Sequence, residues 1–462
     1  MQLRRRGLGR ISRALGALTA NLFIATGAMA AAPDAGLNDD TESPLGKFRL
    51  DTAVLVYQEA ASRVRAVERV ASLSYTSTNG DVLSLKATTD ILTGATPNGA
   101  VPSTLNQPFV TPTRATATDN GDRTVTVTGA SGGSTIVTIP GTGVIARQYT
   151  AKPDTLPVDP GFADKRLALD LAFAKQLGSK TRVSLGLSGS KELDFRSVSA
   201  NAGIARDFND KNTTVSLAIN YERDLSRPFF GTPTPLTEMN PFLKGPDTHK
   251  SVASVVVGVT QVINRYWLAQ ANYSLGSTRG DQTDPYRIIT VVDPDMGQPL
   301  QYLYENRPRA RLRQSLYAGS KVAVGRTVLD LSARAYHDDW GLSSITAEVS
   351  DRLPLTRWLY VQPQVRYYRQ TAAHFFHNYL VGGEPIPDFA SSDYRLGAFS
   401  ATTLGLKLGL KLGHYGEVFI LAENYRQWGD KHPRGAYGDL AKLDLFTGVH
   451  ATNLAVGFSV FY

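Results

Sequence analysis

The sequence has no cysteine in 462 residues. Disulfides, thiolate metal sites and a cysteine nucleophile are therefore excluded. Beyond residue 30 it also lacks any uninterrupted apolar run near the roughly 20 residues that a membrane helix needs. Its greasiest stretch, 252–263, is broken by Ser254, Thr260 and Gln261. No phosphate loop, dinucleotide fingerprint or zinc ribbon occurs, so no cofactor is expected. Helical periodicity is scarce, and so is excess charge. The first 30 residues hold five of the 49 Lys and Arg and none of the 41 Asp and Glu, which leaves 44 against 41, or +3, where the whole chain has +8. That balance makes no case for a nucleic-acid partner.

What is present begins with an address. Arg4, Arg5, Arg6, Arg10 and Arg13 form a basic region, an apolar run covers 14–25, and Ala28-Met29-Ala30 supplies the small residues that a signal peptidase requires. The pattern predicts a secretory signal over 1–30, cleaved after Ala30, and a polar, acidic lead-in over 31–47. A chain that leaves the cytoplasm, reaches a membrane and has no spanning helix must cross by a closed barrel, which satisfies every backbone group in lipid.

Period-two alternation then recurs from 48 to the end. The predicted strands are 48–58, 64–75, 82–92, 166–177, 181–190, 195–207, 213–223, 249–262, 266–278, 308–323, 327–338, 343–352, 358–371, 395–412, 417–427 and 453–462. In the fourteenth, Leu404, Leu406, Leu408, Leu410 and Leu412 alternate with Gly405, Lys407, Gly409 and Lys411. A helix would scatter both sets around its circumference. In the last, Leu454, Val456, Phe458, Val460 and Tyr462 share one face. A terminal aromatic on such a strand resembles the signal that outer-membrane barrel-assembly machinery reads, which makes that machinery and outer-membrane lipid the expected partners.

The connections sort themselves. Short turns follow even strands, among them Gly178-Ser179-Lys180, Gly325-Arg326 and Asn79-Gly80-Asp81, and the long connections follow odd strands. The longest, 93–163, is Thr-, Gly- and Pro-rich, with a weak hairpin of its own at 123–128 and 134–139. In a compact soluble domain such a loop would argue against the strand assignments; in an outer-membrane barrel it is an ordinary extracellular loop, or one folded into the lumen. The expected fold is an all-β, transmembrane, antiparallel, up-and-down barrel of about 16 strands over 48–462. Fourteen or eighteen strands would follow from one misdrawn hairpin. Trp267 and Tyr273 are expected near the two membrane interfaces, and Phe375-Phe376 looks like a girdle as well.

Several stretches resemble the bacterial, Gram-negative outer-membrane family known as domain of unknown function 3570. They are Thr89-Asp90-Ile91-Leu92-Thr93-Gly94-Ala95-Thr96-Pro97-Asn98-Gly99, Asp284-Pro285-Tyr286-Arg287 and Tyr304-Glu305-Asn306-Arg307-Pro308-Arg309-Ala310-Arg311. Tyr336-His337-Asp338-Asp339-Trp340-Gly341, Arg366-Tyr367-Tyr368-Arg369-Gln370-Thr371-Ala372-Ala373 and Ser392-Asp393-Tyr394-Arg395-Leu396-Gly397-Ala398-Phe399 complete the set. The resemblance implies secretion and a barrel; it implies no substrate and no mechanism.

Parity then assigns the lumen. With Ala310, Leu312, Leu316 and Ala318 toward lipid, Arg309, Arg311 and Arg313 point inward as a positive stripe near the mouth. The same rule puts Asp330, Arg334, Tyr336 and Asp338 inside, with Glu348 and Arg366 beside them. The stripe suits a constriction that attracts a small polar or anionic solute. It suits first a salt-bridge ladder holding strands in register, with Arg313 opposite Asp338, Lys321 opposite Asp330 and Arg334 opposite Glu348, to which the pore role is an addition. The expected function is a conduit; the alternative is a non-conducting scaffold or assembly partner whose lumen the 93–163 insertion fills. A rim-borne hydrolase would need His337, His374 or His377 to converge on a nucleophile, and no enzyme is expected. The spacing of His374 and His377 would suit a metal only on a helix, so no metal site is expected either.

Overall fold

The computed structural model describes residues 46–61, 63–112, 124–129, 132–138, 145–228, 231–240 and 245–462. The signal segment and nearly all of the lead-in lie outside the described residues. Sixteen strands form one closed barrel. The first eight are β1 (Lys47–Glu59), β2 (Arg65–Thr76), β3 (Val82–Pro97), β4 (Val158–Leu177), β5 (Thr181–Lys191), β6 (Phe195–Phe208), β7 (Thr213–Ser226) and β8 (Thr248–Asn264). The others are β9 (Trp267–Gly280), β10 (Ala310–Val324), β11 (Thr327–Asp338), β12 (Ser343–Pro354), β13 (Leu359–Gln370), β14 (Phe399–Lys411), β15 (Gly416–Gly429) and β16 (Val449–Phe461). Each pairs antiparallel with its neighbour, and β1 closes on β16 with Leu50 opposite Val460 and Val54 opposite Val456.

The period-two pattern decides the faces. Leu404, Leu406, Leu408 and Leu410 are exposed on the outside of β14. Between them Gly405 and Gly409 face inward, and the missing side chains leave room for neighbours on β13. A Cβ at Gly409 would fall 2.1 Å from the Tyr360 ring, which lies directly across the strand pair. An aromatic laid over a glycine fills the wall without bulging the ladder. Exposed leucines on β3, β4 and β5 (Leu83, Leu85, Leu167, Leu169, Leu171, Leu185, Leu187) continue the band. An apolar exterior on a barrel without edges is how β-structure meets lipid, and this protein is a transmembrane barrel of the outer-membrane kind.

Phe48, Phe208, Tyr266, Trp267, Trp358, Tyr415 and Tyr462 stand exposed around the short-turn rim. They form a periplasmic aromatic girdle. Tyr273, expected at an interface, sits midway along β9 instead, its hydroxyl donating to Gln314 at 2.9 Å. Phe375 is not a girdle residue either: it is buried against Trp340, Ala373 and Leu396, with Phe376 packed on that cluster.

Several boundaries differ from expectation, among them the start of β16 at Val449 rather than 453. β3 and β4 run past the other strands, pairing as far as Pro97 and Val158 with a register shift between Gly94 and Thr96, so the long insertion is 98–157. β10 starts at Ala310 rather than 308. β14 starts at Phe399, because Tyr394–Leu396 is a 3-10 turn capped by the Asp393 side chain.

Above the rim, the long loops fold on one another. Ile288–Val292, Pro299–Tyr304 and Leu380–Val381 form a three-stranded sheet, and Gln107–Pro112, Thr124–Gly129, Gly132–Thr138 and Ile145–Ala151 form a four-stranded one. The latter contains the hairpin expected near 123–139; Arg123 and Ile139 fall outside the described residues. All five residues of Ile288–Val292 are buried. Around them lie Phe109, Tyr149 and Tyr304 on one side, Leu303, Leu380 and Ala390 on another, and Val101, Leu440 and Leu445 on a third. These residues come from loops at four places on the circumference, between β3 and β4, β9 and β10, β13 and β14, and β15 and β16. The loop between β7 and β8 joins them, Leu236 N–H donating to Tyr304 at 3.0 Å. Loops rooted on opposite walls can meet in one core only by crossing the opening, so the extracellular mouth carries a packed cap.

Candidate functional site

The wall residues come first. Arg311 and Arg313 face inward on β10, but Arg309 precedes the strand and is exposed at the rim, so the stripe on the wall has two arginines. Arg313 lies opposite Asp338 in register, as expected. The carboxylate nevertheless goes to Arg311, whose Nη2 is 2.6 Å from Asp338 Oδ2. Tyr336 donates to the same oxygen at 2.7 Å. The other oxygen accepts from the backbone of Trp340 at 3.1 Å and Leu342 at 3.0 Å, which fixes the turn after β11. Asp338 is a buried structural hub.

That turn also corrects the register beyond it. Asp338 N–H donates to Leu342 at 3.1 Å, which closes the hairpin tightly, so Arg334 faces Thr346 and Glu348 faces Ser332. Glu348 pairs instead with Arg366 across the next strand pair, Nε to Oε2 at 2.7 Å. Lys321 and Asp330 pair as expected at 2.6 Å, with side chains 42% and 34% exposed to the lumen. Arg313 donates to Thr278 at 3.1 Å, and Arg334 lies over the Tyr317 ring at 5.8 Å. Neither is in an ion pair among the described residues. The ladder therefore absorbs Arg311, Lys321 and Arg366, while Arg313 acts on Glu222 without a direct ion pair and Arg334 has none among the described residues.

The second charged centre lies in the cap, and reasoning on parity missed it. Glu305 and Asp393, both buried, share Arg307: its Nε is 2.6 Å from Glu305 and its Nη2 is 2.9 Å from Asp393. Arg395 grips Asp393 at 2.6 Å and reaches Asp284 at 3.4 Å, which lies 3.6 Å from Arg287. Ser391 donates to the second Glu305 oxygen, and the Asp284 backbone donates to the first at 2.8 Å. Three carboxylates thus meet three guanidiniums. Burial pushes the Glu305 carboxyl up, with Arg307 pulling against it. Burial acts on Asp393 too, but Arg395, Arg287 and Arg307 outweigh it and hold that carboxyl well below the usual range.

Backbone contacts tie this centre to the far wall. Arg287 donates to the Pro97 carbonyl, Ile288 N–H donates to Asn98 at 3.0 Å, and Ser392 Oγ donates to both Gly99 and Ile288 at 2.7 Å. Gly99 has φ +102°, and a Cβ there would lie 2.1 Å from the Ile288 carbonyl oxygen. Only glycine fits that crossing. The signal for the centre was in the sequence: Asn98, Gly99, Asp284, Arg287, Glu305, Arg307, Asp393 and Arg395 all belong to the stretches quoted for the family resemblance. What that reading lacked was the knowledge that they meet.

His337 Nδ1 is 2.9 Å from Ser343 Oγ on an exposed hairpin end. His374 and His377 line a rim pocket with Trp340, Phe375 and Phe389, and burial lowers the His377 imidazole. Among the described residues, no group of three or more His, Asp or Glu side chains is placed to hold a metal.

Fold and site together define an outer-membrane β-barrel with a capped extracellular mouth. The chain belongs to the family described as "Protein of unknown function (DUF3570)", which matches residues 19–460. No curated protein matches it. Among solved structures, the outer-membrane protein opdK of Pseudomonas aeruginosa is similar at 10% identity and a TM-score of 0.36, over 90% of this chain and 99% of that one. A bacterial polysaccharide outer-membrane secretin is similar at 8% and 0.40, over 91% and 98%. A mutant ferric enterobactin receptor of P. aeruginosa is similar at 9% and 0.41, over 90% of this chain but 60% of that one.

Proposed function

We propose that the protein is an outer-membrane conduit for small polar solutes whose extracellular mouth is held shut by its own loops. The observation that carries this reading is the lumen wall below the cap, where Lys321 and Asp330 remain substantially exposed although they face inward. The pair lies three residues from the short-turn rim, so its exposure supports a lumen open to water from the periplasmic side. Arg313 and Arg334, in no direct ion pair among the described residues, would favour anions over the stretch of wall they line.

A non-conducting scaffold is the second reading, and a specific observation favours it: the cap crosses the whole mouth. Planar-bilayer recording separates the two. The conduit reading expects little conductance from the wild type and a large rise for Arg307→Met, which unlatches the cap. In that background Arg313→Glu with Arg334→Glu should reduce or invert anion preference, because the fixed charge in the constriction changes sign where screening is incomplete. No conductance in any unlatched variant favours the scaffold.

A further inference from the structure

The outer surface of β4–β7 carries charge where the wall meets its extracellular edge. The alternation that sends Leu167, Leu187, Val198 and Tyr221 outward also sends Lys165, Lys191, Arg196 and Arg223 outward, and all four are exposed. Lys191 lies directly opposite Arg196. Leu167 is the other direct partner of Lys191, which sets Lys165 diagonal to it. Leu225 is the other direct partner of Arg196, which sets Arg223 diagonal in turn. The cations therefore cross four consecutive strands in an unbroken run, with neighbouring Cβ atoms about 5–8 Å apart.

No carboxylate on this face answers them. None of the outward positions within 163–177, 181–191, 196–208 and 213–225 holds Asp or Glu. The short turn between β5 and β6, 192–194, carries two carboxylates, but Glu192 lies inward with Asp90, Asp164 and Arg166, and Asp194 accepts from Tyr286. Among the described residues, none of the four cations is in an ion pair. Like charges directly opposed on a strand pair destabilise it, so the arrangement calls for an anion from outside the chain.

Below the cations the same strands form a trough. Ala200 and Ala202 floor it on β6, and directly across from them stand Leu187 and Leu185 on one side and Tyr221 and Ile219 on the other. All four flanking side chains are exposed. We propose that this sector binds a phosphate-bearing lipid of the outer leaflet, its phosphate on Lys191 and Arg196 and an acyl chain in the trough. The guanidinium fork of Arg196 matches phosphate oxygens, and clustered basic side chains at a membrane surface attract anionic headgroups. An acidic protein surface would answer the charge but leave the trough, which belongs to the lipid-facing band, without an occupant. The lower edge of the same strands is different: Lys175 and Arg206 face outward two strands apart, and Arg206 lies over the Phe208 ring at 5.6 Å. The inference needs the barrel and its orientation but not an open lumen.

The test uses the full chain, folded in a neutral detergent and checked for heat-modifiable migration, with native mass spectrometry to count retained lipid. Offered dioleoyl phosphatidic acid and dioleoyl phosphatidylcholine in equal amounts, the protein should retain the former at least fivefold more. Lys191→Gln with Arg196→Gln should abolish that preference. Lys165→Gln with Arg223→Gln should reduce it at least twofold and serves if the first pair fails to fold. Lys175→Gln with Arg206→Gln, which removes the same charge from the lower edge, should leave it unchanged. Ala200→Leu, which fills the trough without touching charge, should lower retention of phosphatidic acid at least threefold. The inference is overturned if folded wild type shows no preference, if both upper-edge pairs keep it, if the lower-edge pair abolishes it, or if folded Ala200→Leu retains as much lipid. Displacement of the lipid by millimolar inorganic phosphate would overturn it in favour of a site for the free anion.

Discussion

The wall and the cap solve opposite problems with the same chain. In the wall, leucines point outward into lipid and charges point inward, paired with neighbours one strand away: Lys321 with Asp330, Glu348 with Arg366. In the cap, the order is inverted, with Ile289, Val292 and Leu440 wholly buried and a group of three acidic and three basic side chains close to them. The wall tolerates charge because each of these inward side chains meets its counter-charge on the adjoining strand; the cap tolerates it because three guanidiniums answer three carboxylates. A buried pair of that kind stabilises little relative to an apolar core, yet breaking it is expensive. The cap is thus the part of the molecule that a single substitution can disarm.

Removing Arg307 should show the contrast most sharply. Arg307→Met leaves Glu305 and Asp393 buried without their shared partner, at a cost of about 3–5 kcal/mol. Limited proteolysis should then cut within 281–309 or 371–398 while the barrel keeps its heat-modifiable band; loss of both together would mean that wall and cap are one unit. A charge on the lipid face strikes the other side of the comparison. Leu406→Arg, on the outer face of β14, should destabilise the barrel by about 2–4 kcal/mol in denaturant titrations in lipid. An unchanged midpoint would show that this face does not meet lipid.

Gly99→Ala should loosen the cap by about 1–3 kcal/mol, the range for a strained backbone site, since the φ and the Ile288 carbonyl both oppose a Cβ. Proteolysis of 98–112 at rates equal to wild type would refute it. The smallest effect is that of pH. Asp393 is depressed in the folded state, so its stabilisation is present above the ordinary carboxylate value near 3.9 and is lost only as pH falls through its lower one. Glu305 is raised, so its contribution is full below the unfolded value near 4.3 and is lost as pH rises through the folded one. Glu305→Gln should therefore flatten the decline in cap protection on the alkaline side and leave the acid limb in place. A proteolysis profile unchanged between pH 5 and 8 would sink that assignment.

The same contrast explains what the sequence could disclose. Wall residues announce themselves through parity, because a strand's faces and its next partner are set within a few residues of the turn; all sixteen strands and the Lys321–Asp330 pair were readable for that reason. The reading slipped by two residues at Arg334 because Asp338 tightens a hairpin in a way that no alternation records. It failed at Arg309 because parity was carried past the true start of β10. The latch was unreadable for a different reason. Glu305 and Asp393 are separated by nearly ninety residues, and Asn98 and Ile288 by nearly two hundred. No local period encodes contacts of that range.

The crossing of the mouth by loops from every side also sets an order of events. Ile288 can find Asn98, and Ser392 can find Gly99, only after each parent hairpin has reached the outer surface and the first strand has met the last. Contacts between such distant segments form late, since the chain entropy that separates them must be overcome first. The cap is therefore a seal applied last. A molecule with strands misregistered or missing would bring its loops to the surface out of alignment and leave those carbonyls and guanidiniums apart. Resistance of the cap to protease then reports that the circumference beneath it is complete, and it makes the extracellular face an inspection point for assembly that took place within the membrane.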